Sequence, residues 1–254
     1  MYKTYNAADY RSHFHLPEDY RVDGMLIWGG WNRPRHVSVL QTALAERAAA
    51  FNELPGFLER MLEFVVDEKH YWFDVSYGGA RLSEYLHLAC LFGSRKNVLL
   101  GSCGGLNPQI DACDLIVPSF SYGDESTTRV YQPGVSDHRH FPNKEMSARL
   151  AESISPKHRL WQGPTVTNQA MMAETFEDVK KWSEQGYLGV EMEAGTVFAV
   201  SNHFAVPSGA ILYVGDNLIR GETVLDTSFS DNRHLREAAE TEQYRVALAE
   251  LLTP

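Results

Sequence analysis

The sequence predicts an α/β layer architecture built around a largely parallel sheet. Short β-rich apolar runs alternate with helix-patterned segments from about residue 24 to the end, and several of them close on glycine. "GMLIWGG" (24–30) reads as a buried strand, and the Ala-rich "VSVLQTALAERAAAFNEL" (37–54) as a helix. "MLEFVVDEKHYWFDVSYGG" (61–79) holds two strands around the polar turn Asp67-Glu68-Lys69. "ARLSEYLHLACLFG" (80–93) is a helix closed by Gly93, and "NVLLG" (97–101) returns as a strand that runs into the small-residue turn "SCGGLNP". The second half keeps the rhythm: "CDLIVPS" strand, "KEMSARLAESI" helix, "RLWQGPTVT" strand, "TFEDVKKWSEQ" helix ending at Gly186. "EAGTVFAVSNHF" is then a helix, "SGAILYVG" a strand and "NRHLREAAETEQYRVALAELL" a closing amphipathic helix. Ligands of such sheets gather beyond the carboxyl ends of strands, so the loops after residues 28, 101, 190 and 214 are the expected site.

The 254 residues are ordinary for one globular α/β domain spanning 1–254, with 44% hydrophobic and 22% charged residues. No repeat, low-complexity segment or linker divides them. A formal net charge of −10 argues against a nucleic-acid partner and disfavours anionic membrane surfaces. Cys90, Cys103 and Cys113 are odd in number and lack metal-type spacing, so a reduced, intracellular protein is expected. The polar, aromatic N-terminal stretch has no signal-peptide core, and no window is long and apolar enough to span a membrane. A cytoplasmic location follows as the expectation.

Three constellations carry chemistry. In "LGVEMEAGTVFAV", Glu191 and Glu193 flank Met192 at a strand-to-helix junction, and strand spacing turns both carboxylates to one face. Such a pair needs a cation or hydroxyl donors, and a vicinal diol offers two O–H groups at the right separation. The plainer alternative leaves Glu193 at the positive helix end and Glu191 solvated. In "AILYVGDNLIRGE", Asp216 follows a strand that ends at Gly215, where a partly dry pocket would make it a general acid; an Asx-turn is the plainer alternative. In "LIWGGWNRPRH", Gly29 and Gly30 precede Arg33 and Arg35, a set suited to an anion or to an ordinary surface turn. The pairs His13/His15 and His138/His140 place no third or fourth ligand, so no metal is expected. "GSCGGL" is neither a dinucleotide fingerprint nor a P-loop.

Together, in this order, these segments resemble the nucleoside phosphorylase and nucleosidase family of the trimeric and hexameric type. The resemblance runs from about residue 13 to 225 and includes "YGDESTTRVYQPG" and "GPTVTNQAMMAET". It implies a three-layer αβα fold around a mixed, largely parallel, twisted sheet. It also implies that Glu193 binds the ribose 2′- and 3′-hydroxyls, that Met192 packs on the sugar, and that Glu191 lies beside sugar or base. Asp216 would protonate the leaving base, Val166 would line the base pocket, and Ser102 and Gly104 would border the substrate. Gly29, Arg33 and Ser102 would face phosphate. His13, sixteen residues before Gly29, would reach a neighbouring subunit's ribose, with His15 as a competitor.

The sequence departs from the family at the nucleophile. Leu99 stands where the phosphorylases have an arginine, Ala173 where many carry another, and no second phosphate arginine is evident. The implied activity is N-glycosidic cleavage of a nucleoside, purine favoured, leaning to hydrolysis. Phosphorolysis with a rearranged anion site and non-catalytic nucleoside sensing remain the alternatives. No cofactor is expected beyond phosphate as a possible co-substrate. The expected partners are a small nucleoside and further copies of the chain, as dimer, trimer or hexamer.

Overall fold

The computed structural model describes residues 2–47, 50–226 and 232–253. The described strands form a mixed ten-stranded sheet with helices on both faces. Its centre is parallel: β1 (Gly24–Gly29) lies between β4 (Lys69–Ser76) and β5 (Asn97–Gly105), and β5 also pairs with β10 (Ser208–Asn217). On one side β3 (Leu62–Val66) and β2 (Ala50–Glu53) add antiparallel strands beyond β4. On the other, β6 (Leu115–Tyr122), β8 (Leu160–Thr167) and the short β9 (Gly189–Glu191) lead from β10 back to β5, so five strands close on themselves. The two-residue β7 (Arg139–His140) flanks β6.

Alternation along the central strands sends side chains to two cores. Leu26, Trp28, Val98 and Leu100 pack with α2 (Arg33–Ala43), α5 (Lys144–Ser153) and α8 (Arg233–Leu252). Met25, Ile27, Leu99 and Cys103 pack on the opposite face with α3 (Gly79–Leu91), α7 (Ala194–His203) and, at its edge, α1 (Ala7–His13). The remaining helices are α4 (Ser126–Tyr131) and α6 (Phe176–Glu184).

Three expectations need correction. The helix anticipated over 37–54 stops at Ala43, and its tail is β2, with Phe51 opposite Phe64. Helix propensity of the alanines yields there to strand pairing with β3; Ala48 and Ala49 lie outside the described residues. The glycine-rich "turn" after Gly101 is no turn: β5 continues to Gly105, paired with β10 and β9. Residues 102–105 are therefore strand, paired along β10 on one side, while on the other β1 stops at Gly101 and β9 begins at Gly104. Likewise β10 does not end before Asp216, which pairs with Gly104 just after a bulge.

The hairpin between β3 and β4 is as predicted, with positive φ at Asp67 (50°) and Glu68 (61°), the geometry of a type I′ turn. Helix α8 is bolted to the sheet by one side chain: Gln243 Nε2 donates to the carbonyls of Gly101 (2.8 Å) and Ile211 (2.7 Å).

Candidate active site

A step in the sheet makes the site. β1 and β4 stop at Gly29 and Ser76, whereas β5 and β10 run on, leaving a cavity of about 750 Å³ above the extension. β9 runs antiparallel to β5 and so carries its carboxyl end back towards Gly29. The cavity is thus bordered by Gly29–Gly30, Ser102–Gly104, Glu191–Glu193 and Asp216.

The two glutamates have divided roles, and the division reverses the plainer reading of the sequence. Glu191 is buried and caps α7: its Oε2 accepts the backbone N–H groups of Glu193 (2.7 Å) and Ala194 (2.6 Å). Its Oε1 accepts the hydroxyls of Thr167 (2.5 Å) and Ser121 (3.3 Å). Glu193 heads the helix but makes no side-chain cap. Instead its Oε1 accepts the N–H of Gly78 at 2.6 Å, and its Oε2 lies where a Cβ on Gly29 would stand. Gly78 has φ 84°, a conformation that L residues rarely take, and it aims that N–H at the carboxylate. Burial raises both carboxyl pKa values, and the charge of Glu191 raises that of Glu193 further. Four donors hold the charge on Glu191, so Glu193 takes up the proton first when no ligand is bound. Met192 lines the cavity and is pinned through its carbonyl by Gln169 Nε2 at 2.8 Å.

Across the cavity Asp216 is 9% exposed, and burial, then the charges of Glu222 and Glu174, push its carboxyl up to about 7. A carboxylic acid half protonated near neutrality is a donor for a basic leaving group. Glu174, Phe176, Val179 and Leu218 border this end. Val166 does not line the cavity; it packs beneath, in a cluster with Val179 and Val190, which do.

The anion end differs most from expectation. Arg33 does not line the cavity: its Nη2 bonds Glu53 at 2.6 Å and its Nε the carbonyl of Arg60 at 3.1 Å. Leu99 is fully buried in the core on the face of β5 opposite Ser102. Arg35 does line it, bound to Glu240 of α8 at 2.5 Å. Beside it His36 stacks on Trp28 at 3.8 Å, and burial, then Arg35, push its imidazole down to about 3. Trp28 also stacks on Tyr244 at 5.6 Å, which ties α2, β1 and α8 together. Ser102 lines the cavity and lies opposite Tyr213 of β10, which also lines it.

His13 is exposed at the end of α1, outside this chain's cavity. Trp31 and Tyr77, exposed and 4.9 Å apart, stand on its rim. Gly78, Tyr213 and Glu240 went unmarked in the sequence; only the Gly78-Gly79 pair hinted at a special backbone. Among the described residues no three His, Cys, Asp or Glu side chains are grouped to hold a metal, and no helix is long and apolar enough to cross a membrane.

This sheet, with paired glutamates at a strand-to-helix junction and a strand-borne aspartate opposite, defines a class. The chain belongs to the phosphorylase superfamily, a family with enzymes that cleave glycosidic bonds; the family model matches residues 79–249. Among its relatives, a guanosine phosphorylase of Halorubrum lacusprofundi is 29% identical over 125 residues, covering 48% of this chain and 50% of that one. A DeoD-type purine nucleoside phosphorylase of Clostridium beijerinckii is 24% identical over 229 residues, 83% of this chain and 87% of the relative. The chain thus aligns with half the length of the first relative and most of the second. The fold is that of a uridine phosphorylase from Vibrio fischeri, with a TM-score of 0.72 at 17% identity over 91% of this chain and 94% of the other.

Proposed function

We propose that the chain cleaves the N-glycosidic bond of a purine nucleoside with water as the nucleophile. The observation that carries the reading is the placement of Glu193 and Asp216 on one cavity, a buried carboxylate for a sugar diol and a half-protonated one for the base. The diol donates both O–H groups to Glu193 and offsets the loss of water that burial imposes. As the C1′–N9 bond breaks, its electron pair moves onto the purine, and Asp216 hands its proton to the ring so that a neutral base departs. Water adds to the oxocarbenium-like carbon and releases its proton to solvent. A purine is supported by the names of the guanosine and purine nucleoside phosphorylase relatives. Water is supported by the engagement of Arg33 with Glu53 and of Arg35 with Glu240.

Phosphorolysis is the second reading, favoured by those relatives' names and by Arg35 and Arg236 on the cavity wall. Incubation with a nucleoside panel, with and without phosphate, separates them by release of free base. Release without phosphate is the expected result; strict phosphate dependence selects the second reading. Binding with no release selects a sensor. The active unit is proposed to be a homo-oligomer in which exposed His13 serves a neighbour's cavity. Light scattering of a monomer with full activity would refute that.

A further inference from the structure

We infer that Glu240 is a built-in rival of phosphate: it occupies the guanidinium of Arg35 and so keeps inorganic phosphate out of the cavity. The inference deepens the proposed hydrolysis and rests on that reading for its consequence, though not for its test.

Both partners line the cavity, and their contact of 2.5 Å is no loose surface pair, since the Glu240 side chain is only 7% exposed against 35% for Arg35. Each is held from behind. Arg35 sits in the first turn of α2 beside His36, which is clamped against Trp28. Glu240 sits one turn before Gln243, which is bonded to two sheet carbonyls, and Tyr244, which stacks on the same tryptophan. These contacts fix the stretch of α8 from which the Glu240 side chain reaches Arg35.

A phosphate near Gly30 and Ser102 would need the bidentate donors of Arg35. It would meet the Glu240 carboxylate already on them, and a like charge at contact distance opposes a second anion strongly in a partly dry site. Water carries no charge and meets no such barrier. Arg33 is turned to Glu53, Arg129 is paired with Asp124 and position 99 faces the core, while Arg236 of α8 shares the cavity wall with Arg35.

Calorimetric titration with inorganic phosphate tests this without turnover. Glu240→Gln, which keeps shape and removes charge, should bind phosphate at least tenfold more tightly than the native protein. Adding Arg35→Met to that variant should abolish the gain, and Glu240→Asp should stay near the native affinity. A Glu240→Gln protein that folds with native melting behaviour and gains nothing overturns the inference. Arg35→Met alone supplies a second reading should Glu240→Gln not fold. Unchanged weak phosphate binding supports a guanidinium already occupied, whereas a loss above threefold shows that native Arg35 holds phosphate and refutes the idea. Base release, assayed separately, judges the parent reading: a protein that cleaves no nucleoside fails that reading while leaving the phosphate titration intact.

Discussion

The carboxylate of Glu191 accepts the backbone N–H of Glu193 at 2.7 Å, so one glutamate builds the helix end on which the other is displayed. Removing each should therefore have opposite consequences. Glu191→Ala strips a helix cap and leaves the hydroxyls of Thr167 and Ser121 without that acceptor, and should cost about 2–3 kcal/mol in urea unfolding.

Glu193→Gln keeps an acceptor for Gly78 and relieves a buried like-charge pair. It should raise the melting temperature while abolishing nucleoside binding, a trade of stability against function. The sign follows from the raised carboxyl pKa. What the native group contributes to stability is fully present below its ordinary value of 4.5 and is lost as pH rises through the folded value. The advantage of the glutamine variant should thus be near zero at pH 4.5 and largest above neutrality; a pH-independent difference in Tm would contradict it.

Gly29→Ala places a methyl where Glu193 Oε2 now lies. The carboxylate must shift away from the sugar position. Nucleoside affinity should fall at least tenfold, about 1.4 kcal/mol, as measured by calorimetry.

Asp216, pushed up to about 7, acts as the acid in its protonated form. At saturating nucleoside, where the bound diol keeps Glu193 ionised, the rate should hold below pH 7 and decline above it, by about tenfold per pH unit once deprotonation is complete. In Asp216→Asn that alkaline limb should disappear along with most of the activity. A native profile flat from pH 6 to 9 would remove Asp216 from the mechanism.

Leu99→Arg, which sequence reasoning nominates as a route to phosphate dependence, should instead bury an unpaired guanidinium behind the sheet. The expected result is a loss of about 3–5 kcal/mol of stability and no gain in phosphate binding. A stable variant with new phosphate dependence would show that the strand turns its face.

The amino-acid order alone determined the layered α/β class, because strand and helix periodicities are local and the glycines that end elements act through their own φ. Spacing alone left Glu191, Glu193 and Asp216 each with a plainer alternative; the family resemblance joined them in one site, and the tertiary structure lines one cavity with all three. The sequence did not reach the division of labour between the two glutamates, which depends on Thr167, Ser121 and Gly78 from distant elements. Nor did it reach the true nature of "GSCGGL", whose small residues suit a turn but continue β5 because β9 and β10 pair with it there. The partner of Arg35 lies some two hundred residues away on α8, and Arg33, equally plausible in sequence, finds Glu53 instead. Which guanidinium meets the cavity is a matter of helix facing and long-range charge pairing, and only the tertiary structure decides it.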